Sequence, residues 1–454
     1  MILDICFVVI WLLMPLFWHL LIKMAHLDYR KLTMPILVIL FFYLFQYVGI
    51  PILFFQLDEY RYAEGVNDKI LMLEVFLYTA YTISLMLIGF VVGNRVLGDL
   101  HPYGDNYVGI WGDVSEKISK MTKLLIFALL MICVGVLVKY VLKVGLDNIA
   151  LVQLFGLSDN SASLAISRSD MGNNFSGKYH WYYLFMNKLM LFINYIVFAI
   201  FLLKPTTINK VFFLALTLIT SFSLMMATEK APLVLFFLGL FLVFTCVRNN
   251  GNVQFKNIIK VGLFILIVLI IFYINFMGES GIIRGISSII SRTFSGQIQS
   301  AYHYLEYIPE YQDFLLGRSF PNPGGIFPFT HFPLTMEVMA WHNPIQAEQG
   351  VVVGSMPTIF WAEMHANFGI VGVLAPPFFV GFTLYWMNSL INRCEANAIS
   401  VAFFVWLTMH MKDLAASPLS NYVVDIYLIV TLAVYLLLLL VNGGGRFAFR
   451  QLRR

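Results

Sequence analysis

A chain whose apolar residues come in runs of about 20, parted by short basic or polar joints, has few ways to fold. Each run crosses a bilayer as a helix, because a helix satisfies its own backbone groups where no water can. This chain has many such runs and one long polar stretch, between Gly278 and Pro357. Only 12% of its residues are charged against 60% hydrophobic, far from the balance of a soluble domain. The class implied is an all-α polytopic membrane protein with one large outer loop. A net charge of +4 gives no reason to expect a nucleic-acid partner. Cys6, Cys133 and Cys246 fall inside apolar runs and Cys394 in a short basic joint, so neither a disulfide framework nor a metal site is indicated. The first run begins at Ile2 with no small-residue cleavage site behind it, and reads as a retained span.

The runs predict about eleven transmembrane helices, near 2–22, 34–54, 70–93, 123–144, 181–203, 211–227, 231–247, 258–277, 367–388, 399–414 and 423–442. Three regions follow. Residues 1–277 hold eight helices with outer loops near 55–69 and 145–180, residues 278–357 form the large outer loop, and residues 358–454 hold three helices and a basic tail. Alternate joints concentrate Lys and Arg: Lys23, Arg30 and Lys31; Arg95, Lys117, Lys120 and Lys123; Lys204 and Lys210; Arg248, Lys256 and Lys260; Arg393; and Arg446, Arg450, Arg453 and Arg454. Basic residues favour the cytoplasmic side, which puts the tail inside and, with an odd number of spans, the N-terminus outside. No internal repeat with paired broken helices, the mark of a secondary transporter, is visible.

The large loop opens with GIIRGISSIISRTFSGQIQSAYHYLEYI. Ile282, Ile286, Ile289, Ile290, Phe294, Ile298, Tyr302 and Leu305 recur at helical spacing, while Arg284, Ser288, Arg292, Ser295, Gln299 and His303 take the opposite face. Arg284 and Arg292 would stand about 12 Å apart on one side. Such a helix would lie along the outer leaflet, its basic face over a substrate entrance. The blander reading is a surface helix with solvated arginines. The third loop arginine, Arg318, lies in LLGRSFPNPGGIFPFTHFP, whose Pro and Gly residues exclude regular structure and whose Phe320, Phe327, Phe329 and Phe332 are expected to pack back onto the bundle. Guanidinium groups suit phosphate because the planar fork binds two oxygens. Lys230, at the outer end of a span, offers a further cation, or simply snorkels beside Glu229.

The loop ends in SMPTIFWAEMHANFGIVGVLAPP. Glu363 and Asn367 share a helix face, whereas His365 is turned about 200° away from Glu363. A carboxylate at the edge of a span is costly unless solvated or used. Glu363 is the candidate general base toward a sugar hydroxyl, the alternative being a partner of Arg292 or Arg318 that ties the loop down. Arg168, in the loop 145–180, is a further candidate for phosphate or sugar. His331 and His342 are read as lying in irregular loop, and His410, Lys412 and Asp413 cluster near the outer end of a span. No DxD-like pair, Walker loop or GxGxxG is present, so neither nucleotide sugar, ATP nor any other cofactor is indicated.

The TEKAP turn, SRTFSGQ in the long loop, GRSFPNPGGIFP after it and AEMHANFGIVGV together resemble bacterial O-antigen and capsule repeat-unit polymerases of the Wzy type. The likeness is clearest at Glu363, Asn367, Phe368 and Gly369. It implies a GT-C-like glycosyltransferase of the bacterial inner membrane that works on the outer face without metal or nucleotide. Donor and acceptor would be undecaprenyl-pyrophosphate-linked glycans, with a chain-length regulator and a flippase as partners. Arg292 and Arg318, supported by Lys230 or Arg284, would meet the charge on the departing pyrophosphate. An Arg-x10-Gly pattern described in some members is absent: eleven residues past Arg168, Arg284, Arg292 and Arg318 stand Tyr179, Ser295, His303 and Phe329. Two alternatives stay open. An O-antigen ligase would rely on His331 or His342, and a flippase or transporter of lipid-linked sugar would carry charge deep in several spans.

Overall fold

Bilayer-length helices dominate the computed structural model. It describes the chain except for residues 99–110, 112–113, 156–166, 169, 173–174, 176–177, 255, 258, 261, 264–265, 268–269, 271–281, 349–353 and 444–454. Among the described residues ten helices are long and apolar enough to cross a membrane: Ile2–Met24, Met34–Phe54, Lys69–Leu97, Lys120–Val144, Tyr179–Leu203, Thr207–Met225, Lys230–Arg248, Ile370–Asn392, Ala398–Ala415 and Leu419–Asn442. The protein is an all-α polytopic membrane protein. The expected span near 258–277 falls largely outside the described residues, and so does most of the basic tail. Polar residues set the helix starts. Thr33, Asp68, Ser119 and Thr206 each cap a span by accepting a backbone N–H, and Gly98 and Gly145, at φ +87 and +86, close two of them.

The chain forms two compact units. The first comprises Met1–Tyr103, Leu266–Leu390 and His410–Asp425. Its helices Lys69–Leu97 and Pro376–Asn392 meet backbone to backbone at glycines. A Cβ on Gly89 would lie 2.4 Å from the Phe378 carbonyl oxygen, and one on Gly381 would lie 2.1 Å from that of Met86. Such approach is how helices associate in lipid, where van der Waals contact replaces the hydrophobic drive. One turn on, Tyr385 lies over Gly93 and accepts a hydrogen bond from Asn94 Nδ2 at 2.9 Å. The second unit comprises Gly104–Ile265, Ile391–Met409 and Ile426–Arg454. A polar seam joins two of its spans: Ser223 Oγ donates to Asn187 Oδ1 at 2.8 Å, and Asn194 Nδ2 donates to Thr220 Oγ1 at 3.0 Å. Lys188, the mid-span cation, sits 5.6 Å from the Tyr183 ring and 5.7 Å from that of Tyr427.

The large loop departs from expectation in four ways. Its helix is interrupted, with Ile282–Ile290 and Gly296–Tyr307 joined by a wide turn at Ser291–Ser295. The extra residue in that turn rotates the face, which leaves Ile290 42% exposed while Ile289, Ile298, Tyr302 and Leu305 are buried. Gly296–Tyr307 is not an interfacial helix, because its polar face is buried too, with Gln299 5% and His303 1% exposed. Phe327 is exposed and stacks on Phe329, 5.6 Å between ring centres, rather than packing back onto the bundle. Finally, His342 does not lie in irregular loop; it ends a helix, Leu334–His342. Near the wide turn the backbones almost touch, since a Cβ on Gly49 would lie 2.3 Å from the Phe294 carbonyl oxygen.

Replacing Gly89 by Val pushes a branched side chain against a backbone oxygen that cannot yield, and is expected to cost about 1–3 kcal/mol. The check is thermal unfolding of the purified variant in detergent; a melting temperature equal to wild type contradicts the close approach.

Candidate functional site

Two clusters of polar contacts in the first unit hold several of the candidate residues. One centres on Glu363, in the helix Phe360–Phe368, which stops at Gly369 (φ +60) before the following span begins. Glu363 is 1% exposed. Its Oε1 accepts the Ser319 hydroxyl at 2.8 Å and its Oε2 accepts the Ser420 backbone N–H at 2.9 Å. Asn367, one turn on, donates from Nδ2 to Ser319 Oγ at 2.8 Å and accepts the Gly317 N–H at 3.0 Å. The N–H groups of Leu315 and Leu316 donate to the carbonyls of Ala366 and Asn367. Glu363 and Asn367 therefore share a face, as their spacing implied, and clamp residues 315–319 onto the end of their helix. The partners of Glu363 are serines and backbone rather than Arg292 or Arg318.

Burial is the largest influence on Glu363 and raises its carboxyl above the usual carboxylate range, against the opposing pull of Ser420, Ser319 and the Leu419 N–H. His365 is turned away from this cluster: its ring packs against Tyr78 and Phe314, and its buried Nδ1 has no hydrogen-bond partner. Burial holds His365 below its ordinary pKa.

The second place is an open cleft of about 470 Å³ between residues 52–61 and the wide turn of the loop helix. Asp58, Glu59, Tyr60 and Arg61 line it from one segment; Ser287, Ser288, Ser291, Arg292 and Ser295 line it from the other. A short helix, Glu59–Ala63, presents the first set, capped by Asp58 Oδ1, which accepts the Arg61 N–H at 3.3 Å. Arg61 Nη1 donates to Glu64 Oε2 and to Gln299 Oε1, both at 2.8 Å, and Gln299 Nε2 donates to the same Glu64 oxygen at 2.8 Å. Gly296 leaves room for this guanidinium, since a Cβ there would lie 2.7 Å from Arg61 Nη2. Burial alone would raise the Glu64 carboxyl, but bonds from Gln299, Tyr60 and Arg61 bring it below its ordinary value.

The network runs on from Gln299 Nε2 to His303 Nε2 at 3.2 Å, and from His303 Nδ1 to Glu306 at 3.1 Å. The His342 ring lies 4.2 Å from that of His303. Burial first, and His303 second, hold the His342 pKa below its ordinary value.

The remaining candidates are scattered. Arg292 lines the cleft and is exposed; Arg284 is exposed near the start of the loop helix and is not among the lining residues. Arg318 also lies outside the lining, with its guanidinium 5.6 Å from the Phe332 ring. His331 is exposed, its Nδ1 3.1 Å from the Phe320 carbonyl. His410 pairs with Asp425 at 2.5 Å, while Lys412 bonds Asp413, so the expected cluster is two separate pairs. Arg168 and Lys230 belong to the second unit, where Arg168 Nε donates to Thr228 Oγ1 at 2.7 Å, two residues before Lys230. Sequence reasoning missed Asp58, Arg61 and Glu64. The available signal was an acidic helix cap followed by an Arg–Glu pair three apart in DEYRYAE. No group of His, Cys, Asp and Glu among the described residues is arranged to hold a metal ion. No protein-family model, curated protein or solved structure matches the chain.

The Glu363 clamp carries a pH signature. A carboxyl whose folded pKa lies above its ordinary 4.5 holds a proton that the unfolded chain has released, so stability falls as pH rises from 4.5 through the raised value. Glu363→Gln, which cannot ionise, is expected to flatten that part of the curve of melting temperature against pH. A slope identical to wild type shows that the carboxyl is not responsible.

Proposed function

We propose that the protein is an integral-membrane glycosyltransferase that joins undecaprenyl-pyrophosphate-linked repeat units into O-antigen or capsular polysaccharide at the outer face of the bacterial inner membrane. The observation that carries this reading is that two guanidinium groups, Arg61 and Arg292, line one open cleft together with four serines. Breaking a sugar–pyrophosphate bond leaves negative charge on the departing group, and fixed donors aimed at that charge are a large catalytic contribution. Guanidinium forks and serine hydroxyls are suitable donors for pyrophosphate oxygens. Arg61 is held in place before any substrate arrives, because Glu64 and Gln299 fix its Nη1.

The chain contributes more than the clamp. Glu363 and Asn367 hold the 315–319 strap, and with it Arg318, against the helix end. Phe327, exposed and stacked on the half-buried Phe329, offers a flat apolar surface for a sugar ring. In this reading the distribution of Lys and Arg favours a cytoplasmic basic tail and, for the eleven spans expected from the sequence, an N-terminus outside. A chain-length regulator and a flippase are the expected partners of such an enzyme.

The ligase reading draws on one observation, the His342 ring tilted against that of His303 beside the network, 4.2 Å between ring centres. The transport reading has little support: Lys188 lies against two tyrosine rings, and the buried His410 and Lys412 are each paired with an aspartate.

The test is a glycan ladder from a strain lacking the gene, complemented with wild type or variants. Polymerase action gives single-unit caps on lipid A without the gene and a long ladder with it. Loss of every cap with lipid-linked polymer accumulating indicates a ligase, and loss with single units held on the cytoplasmic leaflet indicates a flippase. Arg61→Ala and Arg292→Ala are each expected to cut chain extension by at least about 100-fold at unchanged membrane insertion. Arg318→Ala, outside the cleft, is expected to retain a ladder. Full ladders from both cleft variants overturn the assignment.

A further inference from the structure

Gln299 can meet its three neighbours in one orientation only. Arg61 has donors and no acceptor, so the amide oxygen must be the atom that faces its Nη1, at 2.8 Å. Glu64, whose carboxyl is held below its ordinary pKa, is an acceptor, so the amide nitrogen must face its Oε2, at 2.8 Å. That uses one amide proton, and the other points to His303 Nε2, 3.2 Å away. This ring nitrogen is therefore an acceptor. The imidazole carries its proton on Nδ1 and donates it to Glu306 Oε2 at 3.1 Å. His303 is buried, which leaves these two partners to fix the tautomer.

We infer that His303 is a positioning residue for the cleft: as a neutral Nδ1–H imidazole it accepts the second proton of the Gln299 amide, which keeps the amide oxygen turned to Arg61. The inference rests on the glycosyl-transfer reading and adds a control on that same site. Arg61 lines the cleft with 14% of its side chain exposed, and Gln299 supplies one of the two bonds on its Nη1. A proton on His303 Nε2 would set donor against donor. The amide could meet it only by turning over, which would bring its nitrogen to Arg61 and its oxygen to Glu64 and so break two sides of the triangle at once. Glu64 alone would then hold the guanidinium.

The charged and titratable groups around His303 come from three segments. Glu306 is on its own helix, Arg61 and Glu64 reach it through Gln299, and His342 lies against its ring from the helix Leu334–His342. On the other elements packed against this helix, Asp68 lies beside Tyr302, Lys69 pairs with Asp4, Glu74 lies beside Tyr78, His365 packs on Phe314, Glu337 lies near Tyr307, and Glu363 is held by Ser319 and Ser420. Glu306 accepts from the neutral ring and would accept equally from the protonated one, so it does not distinguish the two states. Gln299 does.

The experiment measures binding of inorganic pyrophosphate to the purified full-length protein in detergent at about pH 8 and about pH 5, the range in which imidazoles change charge. Pyrophosphate itself gains protons over that range, equally for every variant, so the readout is the comparison between variants. His303→Gln offers an oxygen where Nε2 stands and cannot ionise. It is expected to bind within about threefold of wild type at the higher pH, and at least about tenfold more tightly than wild type at the lower. His303→Leu, with neither acceptor nor charge, is expected to bind about fivefold more weakly than wild type at the higher pH. Equal binding by wild type and His303→Gln at the lower pH overturns the positioning role, and so does wild-type binding by His303→Leu at the higher. If the leucine variant does not fold, the glutamine comparison decides alone. Arg61→Ala, carried through the same binding measurement and the ladder, separates this role from the reading beneath it. Loss of both binding and ladder supports the clamp, so that a failed histidine comparison falls on His303 alone. Wild-type binding and a full ladder from Arg61→Ala defeat the glycosyl-transfer reading itself.

Discussion

A guanidinium, a carboxylate and an amide close a triangle in the first unit, and the polar half of that unit depends on it. Arg61, Glu64 and Gln299 each bond the other two at 2.8 Å. Any one of them, buried alone, would forfeit its bonds to water; together they exchange those bonds for short, charge-assisted ones. The triangle fastens the short segment after the second span to the helix Gly296–Tyr307, and so permits that helix to bury its Gln and His as well as its Tyr and Leu. Without the triangle the helix would have a polar face to expose and would belong on a surface. With it, the helix is core, and the cleft opens where the helix begins.

The same logic operates at the strap near Glu363. Residues 315–319 form no regular structure, yet their N–H groups find the carbonyls and side chain of the helix end at Ala366 and Asn367. A buried carboxylate held by two serines and backbone is well designed to hold a loop and poorly placed to move a proton.

The spans were legible because a 20-residue apolar run has one solution in a bilayer, and ten of the eleven expected runs appear among the described residues. The faces of the loop helix were half legible. Helical spacing predicted Gln299, His303 and Arg292 on one side, but a wide turn at Ser291–Ser295 cannot be foreseen from periodicity and displaced Ile290. Contacts distant in sequence were not legible. Ser319 and Ser420 lie 44 and 57 residues from Glu363, and nothing in a composition pattern connects them. Arg61 was overlooked for a related reason: in a 15-residue joint its value comes from Gln299, 238 positions away. Rare residue types in the longest loop drew attention, whereas the cleft is lined by both a long loop and a short one.

The wide turn at Ser291–Ser295 also bears on how this chain can vary. Such a turn is an α-helix carrying one residue more than its geometry needs, so losing one residue there returns the helix to ordinary winding with both flanks still facing as before. The stretch is therefore a length reservoir: descendants one residue shorter keep the buried helix and its amphipathic neighbour, and surrender only the bulge. What the bulge presents to the cleft is Ser291, Arg292 and Ser295. Architecture and chemistry are separable at this point, and a single codon lost here would leave a protein that folds as before with its cationic rim withdrawn.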